Sequence, residues 1–398
     1  MKIVHFDEMF HPEFGDQINI VTKYQVKQGH DVYIVTGDSS VIHPRFNNFA
    51  DNTNMDEKDK IFEASTGVKI IRIDIIKYIS GRAIFRRGYK KLIDNLKPDI
   101  LFCHYNDTVI GMYYTLINKK LEYPVIFDSH MLAMASKNPL NKVYRRFYSL
   151  IVAPIIKQNK LRVIRTQDDD YVNTHLGVPS ELTPFISFGS DTTLFYPDSD
   201  IKLKIRKQLN LKDDDFVVVY TGKFSEAKGG KILAEAFRQK FDSNRRVVLL
   251  AVGNTNTEYE KQVEGIFNKS NNVVLRFPTQ KYFDLPKFYQ VADLCVFPKQ
   301  CSLSFYDAQA CGVPVIAEDN NINIERLKRN NGYVYKQDDF SDLRNKILKV
   351  IEMSKDDYIE LSRNAYWYVK DNYDYENISK EYTNIMFEEC MRFSQNKQ

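Results

Sequence analysis

Residues 216–237 read FVVVYTGKFSEAKGGKILAEAF, and this stretch decides the fold. The run Val217, Val218, Val219 has no polar alternation, so it describes a strand covered on both faces rather than one facing water. A strand of that kind needs a parallel sheet with crossover helices. Gly222 and Lys223 follow it, and Lys228, Gly229 and Gly230 then open a helical pattern with apolar Ile232, Leu233, Ala236 and Phe237 on one side. A glycine-preceded helix start presents backbone N–H groups and a positive dipole end, and two lysines beside it favour an anion such as a diphosphate. Two solvated lysines on an ordinary strand-to-helix loop are the competing reading.

The same rhythm extends in both directions. In the first half the strand candidates are KIVHF, DVYIVTG, VKIIRID, DILFCHY, PVIFDSH, LRVIRTQ and LTPFIS. In the second they are FVVVYTG, RVVLLAVG, NVVLRFP, LCVFP, PVIAED and GYVYK. Helical patterns separate them, which predicts α/β architecture with two Rossmann-like, doubly wound domains facing each other across a cleft. The polar stretch SFGSDTTLFYPDSD suggests domains of 1–195 and 196–372, and 373–398 is an amphipathic helix expected to pack back on the first domain. Residues 40–67 are polar and long for a loop, and read as a flap over the cleft. Ligands bind beyond the C-terminal ends of strands in such sheets, so function is sought in the post-strand loops.

The chain has 398 residues, ample for two cores, and is 43% hydrophobic and 27% charged, too apolar for disorder. A net charge of +4 gives no general nucleic-acid footprint. Charge is uneven, however: residues 77–165 hold 17 Lys and Arg against 5 Asp and Glu. Five cysteines without a C-x-x-C pair suit reduced, buried thiols. The start, MKIVHF, lacks the pattern of a signal peptide, and no apolar run approaches the ~20 residues of a spanning helix, so a cytoplasmic location is expected.

A second constellation is PKQCSLSFYDAQACGVPVIAED, residues 298–319. A strand ends, a short helix begins, and Asp307 sits one turn inside it, able to accept hydrogen bonds from a vicinal diol. Backbone N–H groups of Ser302, Leu303 and Ser304 are placed to reach phosphate. Together the two constellations resemble the retaining GT-B glycosyltransferases of family 4, also called group 1. The matching features are Gly222–Lys223 with Lys228–Gly229, FGSDTTLFYP, and DLCVFPKQCSLSFYDAQACGVPVI. The resemblance implies a nucleotide-sugar donor on the second domain, with Gly222, Lys223 and Lys228 at its diphosphate and Asp307 at its ribose. A family glutamate that contacts the donor sugar is replaced by Lys299, beside Gln300. No cofactor or metal is implied.

In the first domain, Gly15 and Asp16 lie in the loop where the family approaches donor phosphates. His130, just past a strand, falls where the family often has a histidine near the reacting sugar, so Lys223, Lys228 and His130 are the catalytic candidates. Asp16, His104 and His130 are assigned to the acceptor side. The basic window interleaves Arg86, Arg87, Lys90, Lys91, Arg145 and Arg146 with aromatic residues, a mixture suited to an anionic membrane face and a glycan or lipid-linked acceptor. Solvated helix faces are the alternative. No metal-ligand spacing is visible, and TQDDDYV reads as acidic capping of a helix start. The expected activity is sugar transfer in cell-surface polysaccharide or glycolipid synthesis at the inner face of the cell membrane. A nucleotide-sugar epimerase and a catalytically silent nucleotide-sugar-binding paralogue are the rivals.

Overall fold

The computed structural model describes residues 1–38, 53–79, 81–131, 141–167, 169–299 and 303–397. The chain forms two compact units, one of Met1–Phe188 with Tyr375–Gln398 and one of Gly189–Asp374. The division falls before Gly189 rather than after residue 195, because Ser190 already bridges to Asp374 within the second unit. Phe195, fully buried, likewise packs edge-on against Tyr282 of that unit.

The first unit contains β1 (Lys2–Asp7), β2 (Asp31–Gly37), β3 (Lys69–Ile73), β4 (Ile75–Ile79), β5 (Arg82–Phe85), β6 (Ile100–Cys103), β7 (Val125–Ser129) and β8 (Val163–Arg165). Its main sheet has the order β3-β2-β1-β6-β7-β8 and is parallel throughout. The second unit contains β9 (Phe216–Thr221), β10 (Val247–Val252), β11 (Val273–Phe277), β12 (Leu294–Phe297), β13 (Val315–Glu318) and β14 (Gly332–Tyr335). Its order, β11-β10-β9-β12-β13-β14, repeats that of the first and is again parallel. Every residue of β9 and β10 is buried, as continuous apolar runs require. Each sheet is therefore a doubly wound Rossmann-like sheet. Its strand order reverses between β1 and β6 in one unit and between β9 and β12 in the other, and the crevices where ligands bind lie beyond those strand ends.

Three local expectations change. LTPFIS forms no strand: Phe185 makes a single bridge to Arg165, and Pro184, which has no N–H, cannot extend the ladder. The hairpin β4–β5 appears within the basic window, turning at Gly81, whose φ is +77°. Within the expected flap, residues 40–52 lie outside the described residues, but Met55–Thr66 is a helix that buries Met55 and Phe62 and ties Asp59 to Arg72 at 2.6 Å. The final helix, Tyr375–Gln395, lies on Gln17–Lys27, where Thr383 donates to Gln28 at 2.9 Å and Ser379 donates to the Val21 carbonyl at 3.2 Å.

Among the glycines, Gly230 has the most direct bearing on the loop after β9. A Cβ there would stand 2.1 Å from the Phe224 carbonyl oxygen. Gly230→Ala is expected to destabilise the second unit by roughly 1–3 kcal/mol, the range for forcing atoms into a packed interior. Chemical denaturation of the full chain checks this, and an unchanged midpoint would show that the loop yields freely.

Candidate active site

In the second unit, β9 and β12 deliver their following loops side by side. The strand β9 ends into Gly222, whose φ of +145° suits a residue without a side chain. Lys223 follows and is exposed, while its carbonyl accepts from the Tyr220 hydroxyl. Lys228, half-buried, closes a short turn before Gly229, which has a φ of +75°. A Cβ on Gly229 would meet Pro298 Cβ at 2.7 Å and Lys299 Cγ at 3.1 Å, so the Lys228–Gly229 turn abuts the end of β12. Glycine permits that approach.

The backbone does less here than the sequence suggests. The N–H groups of Lys228, Gly229 and Gly230 are already spent on Ser225 O, Glu226 O and Ser225 O. The following helix, Gly230–Ala236, has only two turns. An anion at this loop therefore depends more on the lysine side chains than on free amides at Gly229 and Gly230.

Lys299 is not a lone cation at the mouth of the site. Its ammonium group lies 2.6 Å from Asp338, in the loop after β14, and that hydrogen bond holds its pKa above the ordinary lysine value. Gln300 and Ser302 lie outside the described residues. Leu303 and Ser304 are half-buried at the start of the helix Ser304–Ala310, where Ser304 bonds Tyr289. Tyr289 is also joined to Thr221 at 2.7 Å, linking this helix to the end of β9. Asp307 is only 2% exposed and accepts from the Ser190 hydroxyl at 2.7 Å. Burial pushes its carboxyl well above the usual range, against the pull of Ser190.

In the first unit, Gly15 and Asp16 are half-buried at the entrance to the helix Gln17–Lys27, beyond β1. The histidines stand in a chain of buried polar groups. His5 Nε2 meets Gln25 Oε1 at 2.8 Å and His5 Nδ1 meets His104 Nε2 at 3.0 Å. His104 Nδ1 meets Asp128 Oδ2 at 2.7 Å, and His130 Nε2 meets the same oxygen at 3.1 Å. His130 Nδ1 lies 3.1 Å from the Thr166 hydroxyl, and the ring stacks on Phe188. Both nitrogens of His130 are thus engaged within the unit, and substrate can reach one only by exchange. Burial, then the neighbouring His104, lowers His5 to about 3. Burial opposes charge on His104, but Asp128 outweighs it and raises the pKa. Burial would raise Asp128, but His104 and His130 outweigh it and lower the pKa.

Sequence reasoning missed Glu8, the residue immediately beyond β1. Its Oε2 accepts from the Ala83 N–H at 3.2 Å, whereas its Oε1 is buried with no hydrogen-bond partner among the described residues. The signal was its place at the strand-order reversal, two residues past an apolar run. Its carboxyl is pushed up to about 7 by burial, against Ala83 and Arg82.

The surface assignments separate. Arg86, Arg87, Lys91 and Arg146 are exposed, and Lys90 pairs with Asp94 at 2.6 Å. Arg145 instead turns inward over the Tyr171 ring at 5.0 Å, so it does not belong to an exposed basic face. In TQDDDYV, Asp168 is outside the described residues, and Asp169 accepts from the Tyr171 N–H at 2.6 Å.

With this geometry in view, comparisons with known proteins fix the class. Residues 201–367 match the family model of glycosyl transferases group 1, and residues 21–163 match that of glycosyl transferase 4-like proteins. Together these segments span most of the chain, and the protein belongs to the GT-B glycosyltransferases of this group. A probable sucrose-phosphate synthase of Thermosipho melanesiensis is 23% identical over 95% of this chain and 92% of its own length. A glycosyltransferase from Rickettsia africae superposes with a TM-score of 0.74 at 13% identity, over 98% of both chains. The Anabaena protein HepE, solved with UDP, superposes with a TM-score of 0.73 at 18% identity, over 98% of this chain and all of its own.

Glu8 gives a pH test. A carboxyl with a raised folded-state pKa stabilises the fold below the ordinary glutamate range and loses that contribution as pH rises through about 7. The denaturation midpoint of the wild-type chain is expected to fall between pH 5 and pH 8 more steeply than that of Glu8→Gln. Parallel profiles would show that Glu8 ionises without cost.

Proposed function

We propose that this glycosyltransferase moves a sugar from a nucleotide-diphosphate donor to an acceptor hydroxyl with retention of configuration. The observation that carries the reading is the pair of lysines, Lys223 and Lys228, on the glycine loop beside the β9–β12 reversal. Crystals of HepE with UDP and with UDP-glucose support a donor of that chemistry. As the bond from the anomeric carbon to the diphosphate breaks, negative charge grows on the leaving phosphate, and the two lysines stabilise it. The acceptor oxygen bonds to the same face of that carbon, and its proton passes to the departing phosphate oxygen. Asp307, positioned by Ser190, serves the ribose diol, and Ser304 and Leu303 line the same corner. No metal is given a part in this departure. His130 and Asp16 act on the acceptor side, with Glu8 added to them.

Lys228→Ala is expected to lower kcat/KM about a hundredfold or more, about 3 kcal/mol, the usual scale for removing one preorganised charge-stabilising group. Steady-state transfer assays over a panel of nucleotide sugars, with UDP calorimetry beside them, check it. Unchanged turnover and unchanged UDP affinity would remove the diphosphate assignment.

The acceptor reading draws on the surface of the first unit. Val143 (69% exposed), Phe147 (48%), Leu150 (63%) and Ile151 (48%) fall on one helical face, with exposed Lys142 and Arg146 beside them. This face suits an anionic bilayer and a lipid-linked acceptor in cell-surface polysaccharide or glycolipid synthesis on the inner membrane side. No helix among the described residues is long and apolar enough to cross a membrane. Burying a large apolar side chain contributes about 1.5–3 kcal/mol, while a cation near anionic lipid contributes about 1 kcal/mol. The apolar stripe should therefore dominate over Arg86, Arg87, Lys90 and Lys91. The double variant Phe147→Glu, Leu150→Glu is expected to abolish flotation with vesicles containing phosphatidylglycerol, and Arg86→Ala, Arg87→Ala to weaken it only slightly. Flotation that survives the first variant would exclude this face.

A further inference from the structure

We propose that the first unit holds a second carbohydrate site, a cavity at the opposite end of its sheet from the candidate active site that takes one uncharged sugar ring of a glycan. The cavity measures about 460 Å³, a size that suits a small ligand. Its walls come from the segments leading into β7 and β8 and from the end of the final helix, all within this unit. It therefore lies beyond the starts of strands whose far ends lead to His130 and Thr166.

The apolar part of the wall is Leu121, Tyr123, Val125 and Leu161, all buried, with the half-buried ring of Phe393. The polar part offers acceptors and donors together. Asn118 and Asn159 donate their amide N–H groups to the carbonyls of Thr115 at 2.6 Å and Ile155 at 2.9 Å, which leaves their Oδ1 atoms as acceptors. Glu389 has a side chain only 1% exposed, and its Oε1 lies 2.8 Å from Arg162 Nε. That contact is off the N–H direction, and Oε1 has no hydrogen-bond partner among the described residues. Arg392 donates to the other oxygen of Glu389. Lys119 and Lys397 stand exposed at the rim, where Lys397 donates to the Glu122 carbonyl at 3.3 Å.

Those lysines do not make this a phosphate site. The helix Val109–Ile117 with its terminal turn Asn118–Lys120, the helix Ala153–Asn159 and the helix Tyr375–Gln395 all end at this cavity. Helix C-termini are partially negative, and basic side chains are their ordinary complement. An anion meets Glu389 and the negative dipole ends, whereas a cation meets Lys119, Arg392 and Lys397. What fits both sets is a group that donates and accepts without carrying charge. A hydroxyl does this. A sugar ring carries several hydroxyls around an apolar C–H face, and Phe393 supplies a surface for that face.

The five residues of β7 separate the cavity from His130 by roughly 16 Å of strand. A ring held here is thus not the reacting acceptor. Its purpose rests on the proposed transfer to a glycan: a distant unit of the same chain is retained, which raises the local concentration of acceptor. The site itself does not depend on that reading.

The test uses the full chain and saturation-transfer NMR with the methyl glycosides of glucose, galactose, mannose and N-acetylglucosamine. At least one is expected to bind with millimolar affinity, unaffected by UDP and by Lys228→Ala. Phe393→Ala and Asn159→Leu should each weaken it about tenfold, the effect of losing one ring contact or one hydrogen bond at a binding site. The two residues lie on different helices, so misfolding of one variant leaves the other to decide. Binding of none of these glycosides, or binding indifferent to both substitutions, leaves the cavity to water and overturns the site. Tighter binding of glucose 6-phosphate than of methyl glucoside, lost in the same two variants, overturns the uncharged ring. Glycoside binding by a chain that transfers no sugar supports the site and counts against the transfer reading alone, whereas transfer by a chain that binds no glycoside overturns the site and leaves the donor assignment intact.

Discussion

The rest of the molecule follows from the complete burial of β9 between β10 and β12. A parallel strand hydrogen-bonded on both edges and covered on both faces has no side from which chemistry can be presented. Only its C-terminal end is available. Because its neighbours β10 and β12 are reached by crossovers leading to opposite edges, the loops beyond β9 and β12 diverge and leave a crevice. Gly222 and Gly229 let the backbone turn there without side chains, and Lys223 and Lys228 supply charge at that place. The same geometry beyond β1 and β6 locates Glu8, Gly15 and His104 in the first unit.

The two units use charge differently. In the second, Lys223 is exposed and Lys228 half-buried, so their charge costs little desolvation. In the first, Asp128 is fully buried and His104 nearly so, and their charges would be prohibitive there without one another. A network of that kind tolerates the loss of a member poorly, because an unmatched buried charge costs more than the matched set contributes. It is accordingly suited to holding geometry, and the lysine loop to meeting a changing charge.

The strands of both sheets were legible because continuous Val, Ile, Leu and Phe runs record burial on two faces, a property local to each run. LTPFIS failed because Pro184 supplies no N–H, so only one bridge forms. The β4–β5 hairpin was hidden because the window is strongly charged and its two strands are only five and four residues long. Arg145 looked basic and exposed in sequence, yet its direction depends on Tyr171, a partner supplied by folding.

Lys299 shows the same limit at the candidate site. In sequence it replaces a glutamate expected from the family resemblance, which reads as a change of charge sign at that corner. In the fold its ammonium is held by Asp338, 39 residues further on, so the charge at that corner is largely balanced within the protein. Asp338 itself has a φ of +57° and donates its N–H to Glu318 at 3.3 Å, which fixes the carboxylate from behind. The replacement therefore does not amount to a reversal of charge at the mouth of the site. It exchanges a carboxylate for an ion pair, which makes that surface nearer neutral than either residue alone implies.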